Sequence, residues 1–531
     1  MKKWSVVALL AVAQFVMVLD STVMNVSIST VVADLGTTVT AMQAAITFYT
    51  LTMASFMLLG GKLGNVWGRK KALIIGSIIY ALGSGITAIS PNIATLMIGW
   101  SVIEGLGAIL VIPAIAALIA VNYKGKDRVV AYAVIGGISG AAAAAGPLIG
   151  GYVTTYLSWR YVFIAEVIIM AVVILLRGVI KDNKKQSKEK IDIPSVLLSA
   201  SGMFVLVFGM LQSKTWGWIT PRAIPEINGI EIAPLGISVV AYLILIGIII
   251  LKVFYSRQQR LEAEGKNPLL PTSMFAVKQL RSGLAVLMSQ YMITAAVFFV
   301  IPVYLQMTLG YDALKTGIKI LPLSIAVILF SIIGTRMSRN TPPKRIVRTG
   351  QLALVFGAIC LLGSVSIDLK SILFGVGMFL LGSGLGLLAS QLGNVNMSSV
   401  SEKQSSEVGG VQGVSQNIGS SLGTALIGSV MVATLTTGFV TNVQNSSLPP
   451  DVKNYVQNNS QAGVAIVSAS DVENYAVSKG LSENEANEAS VAYTNAQITA
   501  LKQSLFAVAA LAVLTMLFSR NIPDGKIKPI K

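Results

Sequence analysis

Residues 93–121 read IATLMIGWSVIEGLGAILVIPAIAALIAV. Glu104 is the one charged residue in this run. A helix of this length reaches ~43 Å, more than the ~30 Å of a bilayer's hydrocarbon core. The apolar residues are continuous rather than alternating, which excludes a barrel strand. A helix also satisfies its own backbone hydrogen bonds, as lipid requires.

The pattern recurs outward in both directions. Fourteen spans are expected, at about 4–28, 43–60, 72–90, 93–121, 130–154, 160–180, 194–212, 233–254, 283–305, 315–335, 347–366, 371–397, 407–436 and 498–519. Composition agrees: 54% of the 531 residues are hydrophobic and only 12% are charged. A soluble core is excluded, and the expected class is an all-α integral membrane protein. The run after Lys2 and Lys3 is too long for a cleaved signal, so it is read as an uncleaved first span.

The net charge of +17 would suggest nucleic acid on a soluble chain. Here about thirty of the forty basic residues crowd into alternate connections, from Lys62–Lys71 and Lys124–Arg128 to Arg257–Lys278 and Arg336–Arg348. That is the signature of loops held in the cytoplasm, so both termini are expected inside and no nucleic-acid partner is expected. Cys360 is the single cysteine and histidine is absent. An embedded enzyme would need a nucleophile–base pair or a metal constellation, and none is visible. Any proton-handling site must use carboxylates.

Two charged connections suggest the organisation. Residues 181–192 (KDNKKQSKEKID) follow six spans, and residues 255–280 precede six more. The expected domains are 1–180, a linker 181–280 carrying spans 7 and 8, and 281–531. The last contains a polar external stretch, about 438–497, expected to form a helical hairpin.

Acids inside spans are costly and therefore informative. Asp20 lies ~24 Å along span 1, in its outer half. Asn25 follows and helps to position it. Glu104 falls ~18 Å along span 4, near mid-membrane. Glu166 lies ~9 Å into span 6, where it can pair with Arg160. Residues 60–73 (GGKLGNVWGRKKAL) place Gly61, Gly64 and Gly68 for a tight turn, with Asn65 and Arg69 between spans 2 and 3. No nucleotide-binding loop is present. Span 5 carries Gly146, Pro147, Gly150 and Gly151, a small-residue face with a kink expected to seal one side of a cavity.

Together these segments resemble the major facilitator superfamily, in its fourteen-helix drug:proton antiporter branch (the EmrB/QacA type). Leu19–Val26 resembles the branch's first-helix motif. Residues 61–71 resemble the loop signature GxLaDrxGRK, and 140–151 resemble the antiporter motif ending GPxxGG. Ser158–Phe163, Val300–Pro322 and Gly409–Ala425 resemble further branch segments. Four positions depart from the pattern. Asn65 replaces an Asp, Ser101 and Glu104 stand where RxxQG has its Arg and Gln, and Glu166 replaces an Asn.

The resemblance implies a major facilitator fold of six, two and six helices, with spans 1, 4, 9 and 12 lining a central cavity. It implies a proton-coupled efflux antiporter for lipophilic, often cationic, compounds, with no cofactor beyond the proton gradient. An exporter of an endogenous lipid, or of a neutral or anionic antibiotic, is the alternative. Asp20, Glu104 and Glu166 are the coupling candidates. Asn25, Gln290, Tyr291, Thr294, Gln391 and Asn394 are the cavity candidates. A monomer in a bacterial cytoplasmic membrane, contributing to antibiotic resistance, is expected.

Overall fold

The computed structural model describes residues 4–182, 191–227, 230–401, 404–460 and 463–525. Most of the charged run 181–192, the terminal lysines and the Asn25 side chain lie outside the described residues.

Thirteen long helices follow in order: α1 (Ser5–Leu35), α2 (Val39–Trp67), α3 (Arg69–Ala88), α4 (Ile93–Asn122), α5 (Gly125–Tyr156), α6 (Arg160–Val179), α7 (Ile193–Trp216), α8 (Val239–Ala263), α9 (Lys278–Thr308), α10 (Ala313–Met337), α11 (Pro343–Ser364), α12 (Ser371–Met397) and α13 (Ser405–Gln444). Two short helices, α14 (Pro450–Asn459) and α15 (Ala469–Ser478), precede a last long one, α16 (Glu483–Thr515). Among the described residues thirteen helices are long and apolar enough to cross a membrane. The fourteenth span is α5, whose segments Gly125–Ala143 and Ala145–Tyr156 meet at 41°. Pro147 explains the bend, because it cannot donate to the carbonyl of Ala143 four residues earlier. Every expected span is present; most ends differ by about a turn or two, and the last helix begins about four turns earlier, at Glu483. A two-residue hairpin, β1 (Glu226–Ile227) with β2 (Ile230–Glu231), lies between α7 and α8.

Three expectations change. Gly61 and Gly64 do not form a turn; they lie inside α2. The break between α2 and α3 is Gly68 alone, at φ 94°, so Asn65 too lies inside α2 rather than between the two helices. Gly61 and Gly64 instead admit α13: a Cβ on Gly61 would stand 2.7 Å from the Ser406 carbonyl oxygen. The external stretch is not one hairpin, because Glu483–Ala496 continues into the last span behind a Ser482–Glu485 capping box. Tyr493 ties the preceding strand of chain to α16, donating to the Ala465 carbonyl at 2.9 Å and accepting from Val467 N at 2.9 Å.

Two seams join the first helices to the later ones. Along one, α5 packs on α10 and α12, with Gly136 against Ala389 and Gly140 against Val327. Along the other, α2 and α4 meet α13 where Gly409 faces Pro113 and Gly413 faces Met57. Helix α7 lies over this second seam, touching α2 through Met203 and Val207 and α13 through Val414 and Ile418. Its start is pinned by Asp192, which caps Ser195 N at 3.1 Å and accepts from Arg257 Nε at 2.8 Å and Nη2 at 2.9 Å.

Two stability predictions follow from these contacts. A Cβ on Gly60 would stand 1.9 Å from the Ile109 carbonyl oxygen, which Pro113 leaves without its usual donor. Gly60→Ala is expected to cost about 1–3 kcal/mol, seen as a lower melting temperature of the detergent-solubilised chain. Gly375→Ala, with nothing near the added atom, is expected to cost nothing measurable. The second concerns Asp192, whose carboxyl the Arg257 guanidinium holds down at about 2, from an ordinary 3.8. The fold therefore favours the anion. Its contribution is present above about pH 4 and is lost between about pH 4 and 2. Melting of Asp192→Asn should fall below that of the parent at pH 7 and converge with it towards pH 2.

Candidate functional site

Asp20, Glu104 and Glu166 come from three helices and 146 residues of sequence, yet they form one cluster. One carboxyl oxygen from each lies within 4.8 Å of the others. The three residues are 0%, 0% and 1% exposed, which places their charge wholly inside the protein.

Each approach has a local cause. Helix α1 runs to Leu35, so Asp20 stands at its middle residue rather than in an outer half. Residues Met97–Glu104 of α4 are π-helical, a widened turn that ends on Glu104 and is common at functional sites. Gly83 on α3 lets α4 come close: a Cβ there would stand 2.5 Å from Glu104 N. Gly107 performs the same service one turn on, against Tyr80.

The cluster is bound internally by neutral donors. Ser84 Oγ lies 2.8 Å from Glu104 Oε2 and 3.0 Å from Glu166 Oε2, bridging the two acids. Trp100 Nε1 donates to both Asp20 oxygens, at 2.9 and 3.0 Å. Tyr49 stacks on the Trp100 ring at 5.0 Å. Ser101, where the family pattern has its Arg, donates to the Ala45 carbonyl at 2.7 Å and joins α4 to α2.

Among the described residues no lysine or arginine pairs with any of the three acids. The expected Glu166–Arg160 pair is therefore corrected. Arg160 begins α6 and turns outward, pairing with Asp34 and donating to the Ser90 carbonyl at 2.9 Å. Glu166 lies six residues deeper, facing Ser84. The Arg160 guanidinium, seconded by Trp159, holds the Asp34 carboxyl below its usual value at the helix end.

The central cavity is a separate feature of about 150 Å³. Helices α1, α4, α9 and α12 line it, joined by α5, α10 and α13. Of the expected residues it receives Gln290, Tyr291 and Thr294. It does not receive Gln391 or Asn394. The α12 face towards the cavity carries Leu385, Ala389 and Leu392, which turns Gln391 to donate to the Gly334 carbonyl at 3.1 Å. Leu287, Phe298, Leu323 and Leu385 make much of its wall apolar. The three acids do not line it. Gln14 and Val18 of α1 face the cavity, and Asp20, two residues on, points ~200° away round the helix. Helix α1 thus separates cavity from acids and touches both. Gly146 presses on this helix, since a Cβ there would stand 1.9 Å from Thr22 Oγ1.

Sequence reading missed Tyr49, Tyr80, Ser84 and Trp100 around the acids, and Gln14, Gln412 and Gln416 in the cavity. Gln14 alone had a readable signal, as a carboxamide inside the otherwise apolar run 6–19.

The sequence profile described as Major Facilitator Superfamily matches residues 10–424. The tetracenomycin C resistance and export protein of Streptomyces glaucescens is 26% identical over 462 residues, covering 84% of this chain and 79% of that one. The probable actinorhodin transporter of Streptomyces coelicolor is 24% identical over 442 residues, covering 82% and 73%. The multidrug transporter protein MdtP of Bacillus subtilis is 26% identical over 429 residues, covering 80% and 74%. Among solved structures, the human organic anion transporter MFSD10 superposes with a TM-score of 0.58 at 10% identity, over 98% of this chain and 100% of that one. The proton:xylose symporter XylE gives 0.56 at 13%, over 99% and 97%. At such identities these two speak for the fold alone. A profile match over most of the chain, on a frame of fourteen spanning helices, establishes that this protein belongs to the Major Facilitator Superfamily.

Proposed function

We propose that the chain exports lipophilic small molecules, antibiotics among them, across a bacterial cytoplasmic membrane in exchange for protons. The relatives named for actinorhodin, tetracenomycin C and multiple drugs support export. The observation that carries proton exchange is the cluster of Asp20, Glu104 and Glu166, buried together with no basic partner among the described residues. Two unit charges ~4 Å apart oppose each other by about 4 kcal/mol at an effective dielectric of about 20. A proton is the smallest charge that relieves this repulsion.

In this reading residues 1–180 and 281–531 are two bundles that rock about the cavity, with 181–280 between them. The basic connections and both termini face the cytoplasm. Helix α1 transmits the coupling. On one side Gln14 and Val18 meet the cargo; on the other Asp20 holds the Trp100 indole. A proton on Asp20 removes the charge to which Trp100 donates and loosens α1 from α4. Cargo therefore meets the acids through a helix, not by contact, and the protein reverts to its inward state with its carboxyls neutral.

The test is export into everted membrane vesicles energised by respiration. Export should stop when a protonophore collapses the gradient. Asp20→Asn, Glu104→Gln and Glu166→Gln should each lower driven export at least ~tenfold, a loss of about 1.4 kcal/mol or more in coupling. Cargo exchange without a gradient should survive. Normal driven export by all three variants would end this assignment.

A further inference from the structure

The polar groups in the cavity carry an observation that the exporter reading leaves unused. None of the residues lining it is charged. Helices α1, α9 and α13 instead present four carboxamides, from Gln14, Gln290, Gln412 and Gln416. Among the described residues none of these amide groups has a hydrogen-bond partner, and Gln290 Oε1 is fully buried without one. The Tyr291 hydroxyl beside them is likewise uncommitted.

The contrast with the other hydroxyls is informative. Tyr132 spends its proton on the Ala116 carbonyl at 2.7 Å, Ser139 on Ile135 at 2.9 Å and Thr294 on Gln290 at 2.8 Å. These three only close the wall. A buried amide oxygen left without a partner costs about 1–3 kcal/mol, so Gln290 Oε1 marks a place where something else completes it, and three further carboxamides face the same space. Each carboxamide offers one acceptor and two donors at no net charge. The remaining wall is apolar, with Phe298, Leu287 and Ile112.

We propose that the cavity selects uncharged lipophilic molecules bearing carbonyl and hydroxyl groups, read by Gln14, Gln290, Gln412, Gln416 and Tyr291. The inference rests on the export reading above and names the class of its cargo. A fixed cation entering this space would lose its water and find no counter-charge, a penalty of several kcal/mol. The nearest acid on α1, Asp20, faces away and is engaged by Trp100. Carbonyls and hydroxyls would find donors and acceptors on three helices, and an apolar body would lie against the rest of the wall.

The experiment is equilibrium dialysis of the purified full chain in detergent. One probe is 1,8-dihydroxyanthraquinone, uncharged; the other is tetraphenylphosphonium, a permanent cation. The uncharged probe should bind at least tenfold more tightly. Gln290→Leu should weaken it about fivefold to tenfold, the worth of one net hydrogen bond. Gln290→Glu, by supplying a counter-charge, should raise affinity for the cation. Gln14→Leu and Gln416→Leu, on other helices, replace any variant that melts early. Equal or tighter binding of the cation to the parent chain would overturn the proposal, as would undetectable binding of the anthraquinone or indifference to all three leucine substitutions. Energised everted vesicles separate the two readings. Export of the cation with the anthraquinone ignored overturns the cargo class and leaves export standing. Movement of neither probe contradicts export itself, while dialysis still decides the class.

Discussion

Three carboxyl groups share one buried site with no basic side chain among the described residues to balance them, and much of the first half of the molecule is arranged around that constraint. Charges taken out of water must be paired, bonded or neutralised. Here the bonding comes from Ser84 and Trp100, both neutral. Neither supplies the missing positive charge. The site is therefore sensitive to protons in a way that a buried ion pair is not. An Arg–Asp pair satisfies itself, as Arg160 and Asp34 do at the end of α6.

The placement of that site matters as much as its content. The cavity and the acids lie on opposite sides of α1, so in the proposed exchange neither cargo nor proton needs to displace the other by contact. The proposed coupling runs through the position of one helix, packed on α5 at Gly146 and bonded to α4 at Trp100. Both neighbours are irregular: α5 bends beyond Ala143, and α4 widens into a π-helix at Met97–Glu104. Helices with broken ladders have a lower cost of adjustment than straight ones. Separating the sites also frees the cavity to be uncharged, and its carboxamides and apolar walls suit that freedom.

The fold was legible because its signal is local. Each span is a continuous apolar run, and each run became a helix. Span ends were less legible. Helix α1 extends to Leu35 because the mixed residues after Ile28 continue the helix until Gly36 turns left-handed at φ 59°. Glu483–Ala496 joined the last span because a capping box fixed its start further out than hydropathy implied. The three acids were each visible as charges in lipid, but their union was not, since nothing in spacing brings position 20 to 104 and 166. Arg160 looked a natural partner for Glu166 by sequence distance, and helix direction separated them. In the cavity, Gln290, Tyr291 and Thr294 were legible as polar residues on one helix. Gln391 was assigned to the wrong face, because a polar residue in a span reveals burial without revealing its azimuth. The glycines between spans 2 and 3 looked like a turn, whereas two of the three serve helix contact.

The central claim is that cargo and protons compete for one protein through α1. It is tested most directly by calorimetric binding of 1,8-dihydroxyanthraquinone to the purified chain in buffers of different ionisation enthalpy. The account predicts that binding releases protons from the parent chain. That release should vanish when Asp20, Glu104 and Glu166 are replaced together by Asn, Gln and Gln. Binding heats that are independent of the buffer, with affinity unchanged across pH, would contradict it.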